Sequence, residues 1–167
     1  TYIEVDDSSQ KINSEITEAI TVEAWIQPSS VTLNETPMIA SKGDIMYFYF
    51  LDGSLHFFLR FTDGTTDFID SGAIFEGGKW YHIVGTYNGS EMKIFVDGKE
   101  KDVLSKDNKT IESDNRSLFI GKHRILGYNF NGRIDEFRLY GEGFSAAQIK
   151  KHYVEGAKGK GLLVGEK

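Results

Sequence analysis

The side chains in this 167-residue chain whose types and spacing bear on chemistry fall into three groups. Asp6 and Asp7 follow the first predicted strand, and Asp135 and Glu136 lie in the last. Carboxylates of this kind, joined by backbone carbonyls, are what calcium takes to fill its roughly six to eight oxygen positions. Tyr47, Tyr49, Phe57, Arg60 and Asp67 sit on an aromatic hairpin and its neighbour, with Arg124 and Tyr128 as a loop alternative. Rings flanked by hydrogen-bonding groups suit a carbohydrate, because a pyranose offers apolar C–H faces with hydroxyls at its edges. His56 and Arg60 stand two alternations apart on one predicted strand, hence on one face, with Tyr47 and Tyr49 across the hairpin. A Tyr, His and Arg on one face is the inventory of a lyase-type site, and equally that of a polar-decorated sheet.

Hydrolysis of a glycoside needs two carboxylates facing one sugar, about 5 Å apart for retention and further apart for inversion. Asp135 and Glu136 are adjacent, which on a strand sends them to opposite faces, and Glu23 stands alone in its strand. The reading is therefore non-catalytic. Asp44 and Asp63, in loops flanking the hairpin, form a second cation set, and the calcium reading has its own alternative. In that alternative Asp6 and Asp7 only shape a turn, and Asp135 pairs with Arg133 or Arg138. Among the histidines, His123 and His152 read as isolated.

Short strands must position these groups. Ile20 to Gln27 alternates Thr21, Glu23, Trp25 and Gln27 on one face with Val22, Ala24 and Ile26 on the other, which predicts a central strand. Met38 to Ser41, Ile45 to Leu51, Ser54 to Phe61 and Thr66 to Ile69 follow, with Asp52-Gly53 and Asp63-Gly64 as turns. Trp80 to Tyr87, Met92 to Val96 and Lys99 to Leu104 read as a meander closed by Asn88-Gly89 and Asp97-Gly98. Ser117 to Gly121 and Phe130 to Leu139 complete the set. Ile12 to Glu18 is a connector of either type, and Ser105 to Arg116 reads as a mostly solvated loop. Ser145-Ala-Ala-Gln148 fits a capping box that opens a helix to about Tyr153, with Gly156 as its stop. The pattern predicts an all-β antiparallel sandwich or jelly roll with one short C-terminal helix, and a closed barrel as the alternative. Residues 1–156 form the module and 157–167 a flexible tail or linker.

The formal net charge of −6 argues against nucleic acid or an anionic membrane as partner. No apolar run approaches the ~18 residues that would insert into a membrane, and no cysteine is present for a disulfide, thiolate metal site or nucleophile. Four N-x-S/T sequons, at Asn34, Asn88, Asn108 and Asn115, fit a secreted protein. A start at Thr1, directly on a strand, is expected of a module cut from a longer polypeptide, with other domains of that chain among its partners.

Several segments in a fixed order resemble the laminin G-like, concanavalin A-like lectin/glucanase jelly-roll modules. They are I-T-V-E-A-W-I from Ile20, I-A-S-K-G-D from Ile39, W-Y-H-I-V-G-T-Y-N-G from Trp80, K-I-F-V-D-G from Lys93, F-I-G from Phe119 and G-R-I-D-E-F-R-L-Y from Gly132. The resemblance covers nearly the whole chain, and it implies a two-sheet antiparallel jelly-roll sandwich in which His82 is structural and Trp25 and Trp80, inside the framework motifs, are core. It implies a non-catalytic module of an extracellular or surface protein that recognises carbohydrate or an extracellular protein, often with structural calcium. A structural or adhesive spacer without a glycan ligand is the alternative, and a polysaccharide-cleaving enzyme the third reading. Terminal strands commonly run side by side in such modules, which is how Asp6, Asp7, Asp135 and Glu136 would converge on calcium.

Overall fold

A computed structural model describes residues 1–31, 35–105, 107–125 and 127–162. Eleven strands are assigned among them: β1 Ile3–Val5, β2 Ile20–Pro28, β3 Met38–Lys42, β4 Met46–Leu51, β5 Ser54–Arg60, β6 Thr66–Asp70, β7 Tyr81–Tyr87, β8 Glu91–Val96, β9 Lys99–Ser105, β10 Leu118–Ile120 and β11 Gly132–Tyr140. Two helices, α1 Lys11–Ile16 and α2 Ala146–Gly159, complete the fold. The strands form two antiparallel sheets, ordered β1-β10-β3-β4-β5-β6 and β11-β2-β7-β8-β9. β2 is central in its sheet, as its alternation predicts.

One face of each sheet is spent on the other. Val22, Ala24, Ile26, Ile83, Ile94 and Val96 meet Met46, Phe48, Phe50, Leu55, Phe57 and Leu59 in one continuous buried cluster. At roughly 1.5–3 kcal/mol per fully buried large apolar side chain, this cluster fixes which residues of every strand face inward. The turns obey their sequences: Asp52-Gly53 and Asp97-Gly98 have positive φ at both residues, the geometry of a tight primed hairpin turn.

The outer face of the five-stranded sheet is covered by α2, where Val84, Phe95, Phe144 and Ile149 form a second apolar cluster. The capping box forms as its sequence dictates: the Gln148 amide donates to Ser145 Oγ (3.4 Å) and the Ser145 amide to Gln148 Oε1 (2.9 Å). The expected stop at Gly156 is not observed. The helix runs on to Gly159, Ala157 is fully buried, and the positive φ falls at Gly161. Gly156 serves close approach instead, since a Cβ there would lie 2.4 Å from Trp25 Nε1. The segment expected to be a tail is thus helical through Gly159, and residues 163–167 lie outside the described residues.

Two connectors also differ from expectation. Lys11–Ile16 is a short helix, with Ile16 buried under the sandwich. The 105–116 loop is not simply solvated: Ile111 is buried, bridges Phe61, and donates its amide to the Thr17 carbonyl at 2.7 Å. Among the described residues no helix is long and apolar enough to cross a membrane.

Gly156→Ala is expected to destabilise the protein by about 1 kcal/mol or more, because overpacking outweighs the ~1 kcal/mol helix-propensity gain. Gly159→Ala, with open space at its Cβ, should stabilise it by a few tenths to about 1 kcal/mol. Urea unfolding of both variants checks the pair, and a more stable Gly156→Ala would contradict the packing argument.

Candidate functional site

With the inner faces committed to the core, the outer face of the six-stranded sheet carries what β3, β4, β5 and β6 point the other way. Cross-strand register sets Tyr47 beside Phe58 and Phe58 beside Phe68, and sets Tyr49 beside His56 and His56 beside Asp70. Tyr47 stacks on Phe58 at 5.1 Å between centroids and Tyr49 on His56 at 5.4 Å, while His56 lies 5.9 Å from Phe68. His123 continues the row, 5.4 Å from Tyr47 and 6.3 Å from Tyr128. A band of rings therefore crosses the sheet from Tyr128 to Phe68. Phe68 is 60% exposed and Tyr128 42%, so both ends of the band meet solvent.

Polar groups line the band. Asp44 accepts from the Tyr47 hydroxyl at 3.0 Å and pairs with Arg116 Nη1 at 2.6 Å and Arg124 Nη2 at 3.7 Å. Burial works against the Asp44 charge, but the Arg116 and Tyr47 hydrogen bonds hold its pKa below the ordinary carboxylate range. Tyr47 is pushed up to about 12, by burial first and then by Asp44. On the other flank Asp70 accepts from Ser54 Oγ and the Gly72 amide (2.9 Å) and lies 3.7 Å from His56 Nε2. His56 is only 6% exposed, and its Nδ1 has no hydrogen-bond partner. Beside Asp70 opens a hollow of about 360 Å³ lined by Asp52, Ser54, Ala73, Ile74 and Phe75. Buried polar atoms are nearly always paired, and this Nδ1 is an exception with essentially no solvent-accessible surface.

Of the predicted ligand-binding residues, the structure brings Tyr47, Tyr49, Arg124 and Tyr128 to this face, uniting the hairpin with its loop alternative. Arg60 joins them at the end of β5, where it pairs with Glu112 at 3.7 Å. Phe57 does not join them. It points into the sandwich, against Gly85 of the facing sheet, where a Cβ would meet the ring at 2.6 Å. Asp67 pairs in register with buried Leu59 and so belongs to the inward face, not the outer one. Phe58, Phe68, Asp70 and His123 belong to the face and were missed. The β5 alternation that groups His56 with Arg60 also includes Phe58, and that was the available signal.

The calcium set does not assemble. Asp6 accepts from Ser8 N and Oγ. Asp7 is buried, accepts from the Ile12 amide at 2.8 Å, and pairs with Lys42 Nζ at 3.1 Å. Asp135 and Glu136 both meet Lys160 Nζ, because a bulge at Glu136 (φ 49°) turns these neighbours to one side, against the expectation of opposite faces. Asp44 and Asp63 are likewise paired, with Arg116 and with Lys109 at 2.9 Å. No group of three or more His, Asp or Glu side chains suited to a metal ion occurs among the described residues. The residues present do not fit the structural calcium that the resemblance implies.

A second polar cluster lies under α2. Glu23 is buried, accepts from His82 Nε2 at 2.8 Å and His152 Nδ1 at 2.9 Å, and has Arg138 Nη1 at 3.5 Å. It is not alone, nor is His152 isolated. Trp25 stacks on Tyr153 at 5.9 Å, whereas Trp80 is half-buried with Lys160 over its ring at 4.8 Å, outside the core. This cluster clasps helix to sheet. Burial works against the Glu23 charge, but His82 and His152 outweigh it and hold the pKa below the ordinary glutamate range. The sequons at Asn88, Asn108 and Asn115 lie in exposed loops, and Asn34 lies outside the described residues.

The fold and its outer face define a jelly-roll sandwich with one helix-covered sheet and one uncovered aromatic sheet. The chain belongs to the concanavalin A-like lectin/glucanase superfamily, whose family model matches residues 1–150. No curated protein matches it. Among solved structures it is similar to domain 4 of an extracellular arabinanase from Geobacillus stearothermophilus, solved with arabinotriose. That match has a TM-score of 0.67 and 19% identity over 90% of this chain and 71% of that one. It is also similar to the binding domain of botulinum neurotoxin DC in complex with rat synaptotagmin II, with TM-score 0.70, 16% identity, and 92% and 40% coverage. A third is the binding domain of Paraclostridial Mosquitocidal Protein 1, with TM-score 0.68, 16% identity, and 81% and 37% coverage. The chain thus spans well under half of those toxin domains, and identities this low establish the fold alone.

Glu23→Ala strands two histidines and an arginine under α2 and is expected to cost about 3 kcal/mol. Since the folded pKa of Glu23 is depressed, its contribution is present above the ordinary glutamate range and lost as pH falls through the lower folded value. Acid unfolding followed by circular dichroism should lose this pH step in Glu23→Ala, and an unchanged acid limb would contradict the assignment.

Proposed function

We propose that the protein is a non-catalytic binding module that recognises carbohydrate on the outer face of its six-stranded sheet, as part of an extracellular or surface protein. The observation that carries this reading is the band of rings from Tyr128 to Phe68, fringed by Asp44, Arg116 and Asp70. Rings supply area for the apolar sugar faces, and the fixed polar groups supply direction. The arabinanase domain solved with arabinotriose supports the reading as a relative in fold that meets a sugar. The five-stranded sheet offers no equivalent, since α2 covers it.

A protein ligand is the second reading. The toxin binding domain of the same fold in complex with synaptotagmin favours it, as do the exposed apolar side chains Ile74 and Ile125 at the two ends of the face. Catalysis on this face would need a general base in reach of the sugar, and Asp70 and His56 are the groups available. Incubation with arabinan, β-glucans and uronate polymers should leave no new reducing ends or unsaturated products.

Titration with arabino-oligosaccharides and a glycan array tests the proposal. Saturable binding is expected, weakened roughly three- to tenfold by Phe68→Ala at the loss of one aromatic contact. Because Phe68 is largely exposed, the melting temperature of that variant should hold. Absence of binding to any glycan, or undiminished binding by Phe68→Ala, would overturn it.

A further inference from the structure

A charged ligand and an uncharged one would ask different things of the aromatic face, and its ion pairs separate the two. At the Tyr47 end of the band Arg116 sits between two carboxylates. Its Nε donates to Asp114 Oδ1 and Oδ2, each at 2.7 Å, and its Nη2 reaches the same Oδ2, while Nη1 donates to Asp44 Oδ2 at 2.6 Å. The Nε–Nη2 edge is the fork by which an arginine takes hold of a carboxylate or sulfate, and here the protein's own carboxylate fills it. Asp114 is not readily displaced. Its side chain is only 7% exposed, and although burial works against its charge, Arg116 holds its pKa down at about 2. Arg124 Nη2 lies 3.7 Å from Asp44 Oδ1, and Arg60 faces Glu112 at the same distance. Lys122, further along the sheet, has its ammonium over the Tyr2 and Phe119 rings at 3.7 and 4.9 Å. On the opposite flank Asp70 is met by Ser54 Oγ, the Gly72 amide and His56, none of them a fixed cation. Among the described residues the band therefore has paired arginines at one flank and a surplus carboxylate at the other, on a chain of formal net charge −6.

Bringing an anionic sugar to this surface would strip water from its charge with no unpaired arginine to receive it, a cost that a few hydroxyl contacts do not offset. Hydroxyls fit it well. Each can donate to a carboxylate oxygen or accept from a guanidinium N–H, and the ion pairs hold both kinds of group side by side. We infer that the ligand of this face is an uncharged glycan, built of neutral hexose or pentose residues, and that Asp44 and Asp114 set this selectivity by occupying Arg116 and Arg124. This selectivity rests on the reading of the band as a sugar-binding surface. The two aspartates exclude uronate, sulfated and sialylated chains, since without them the same arginines would form a basic patch beside the rings.

The test sets neutral and acidic glycans side by side on an array and titrates the best of each class with wild type, Asp44→Asn and Asp44→Asn/Arg124→Gln. Wild type should bind neutral glycans alone, with a Kd that changes less than about twofold as salt is raised, because no unpaired charge is there to be screened. Asp44→Asn, a substitution of similar size at a half-exposed site, leaves Arg124 without its carboxylate. It should raise affinity for uronate oligomers about tenfold or more, and the double variant should lose that gain. A wild-type protein that binds acidic glycans as tightly as neutral ones would overturn the inference while leaving the sugar-binding face in place. So would a folded Asp44→Asn with no gain for acidic chains, or a gain that survives in the double variant. Should Asp44→Asn not fold, the wild-type comparison and its salt dependence decide alone. Binding of no glycan at all would remove the sugar-binding reading and this selectivity together.

Discussion

Everything about the uncovered sheet follows from one constraint: successive residues of a strand point to opposite faces, and in this sandwich one face of each strand is committed to the other sheet. Phe48, Phe50, Phe57 and Leu59 fill the space between the sheets. Tyr47, Tyr49, His56 and Phe58 are thereby forced outward, in register with one another across β4 and β5. A one-residue slip would turn the Tyr47 and Tyr49 hydroxyls into the core and expose Phe48 and Phe50, so the aromatic band is as fixed as the core itself. That coupling makes the outer face a rigid surface, the condition under which a few exposed rings recognise a ligand without losing much conformational freedom.

The two sheets put the same architecture to different uses. β2, β7 and β8 turn Glu23, Trp25, His82, Val84 and Phe95 outward, and α2 covers them with Ile149, His152 and Tyr153. Charge inside this layer is balanced locally, with Glu23 against two histidines and Arg138. Among the described residues no helix covers the six-stranded sheet, although its outer face is the more aromatic of the two. Large apolar and aromatic area that a fold builds with this precision of register and leaves in solvent is where recognition by such a module is to be sought.

Much of this was legible in the chain. The strand set, the central place of β2, the Asp-Gly hairpins and the capping box follow from alternation and turn chemistry, and the structure keeps them with ends moved by a residue or two. Less legible was which face of the β5 run His56-Phe57-Phe58 carries the site: the alternation of His56 with Arg60 groups Phe58 with them and Phe57 opposite, but aromatic residues on both faces mask it. Phe57 was therefore placed with the ligand contacts and Phe58 was not. The end of α2 misled for a related reason: Gly156 has the composition of a stop, while its reason for being glycine is the Trp25 ring beneath it, a contact made across 131 positions of sequence. Carboxylates gave the largest discrepancy. Asp7, Asp135 and Glu136 have the right type for a cation, but the cations they meet are Lys42 and Lys160, which only the folded chain brings near.

The central claim is that the band from Tyr128 to Phe68 is the binding face. Its most direct test is chemical-shift mapping of the isotope-labelled protein during titration with arabinotriose or the best glycan from an array. Shifts concentrated on the rings of Tyr47, Tyr49, His56, Phe58 and Phe68 and on neighbouring amides are the predicted result. Shifts confined to the α2 side or to the edge between β1 and β11, with these rings unmoved at saturation, would contradict it.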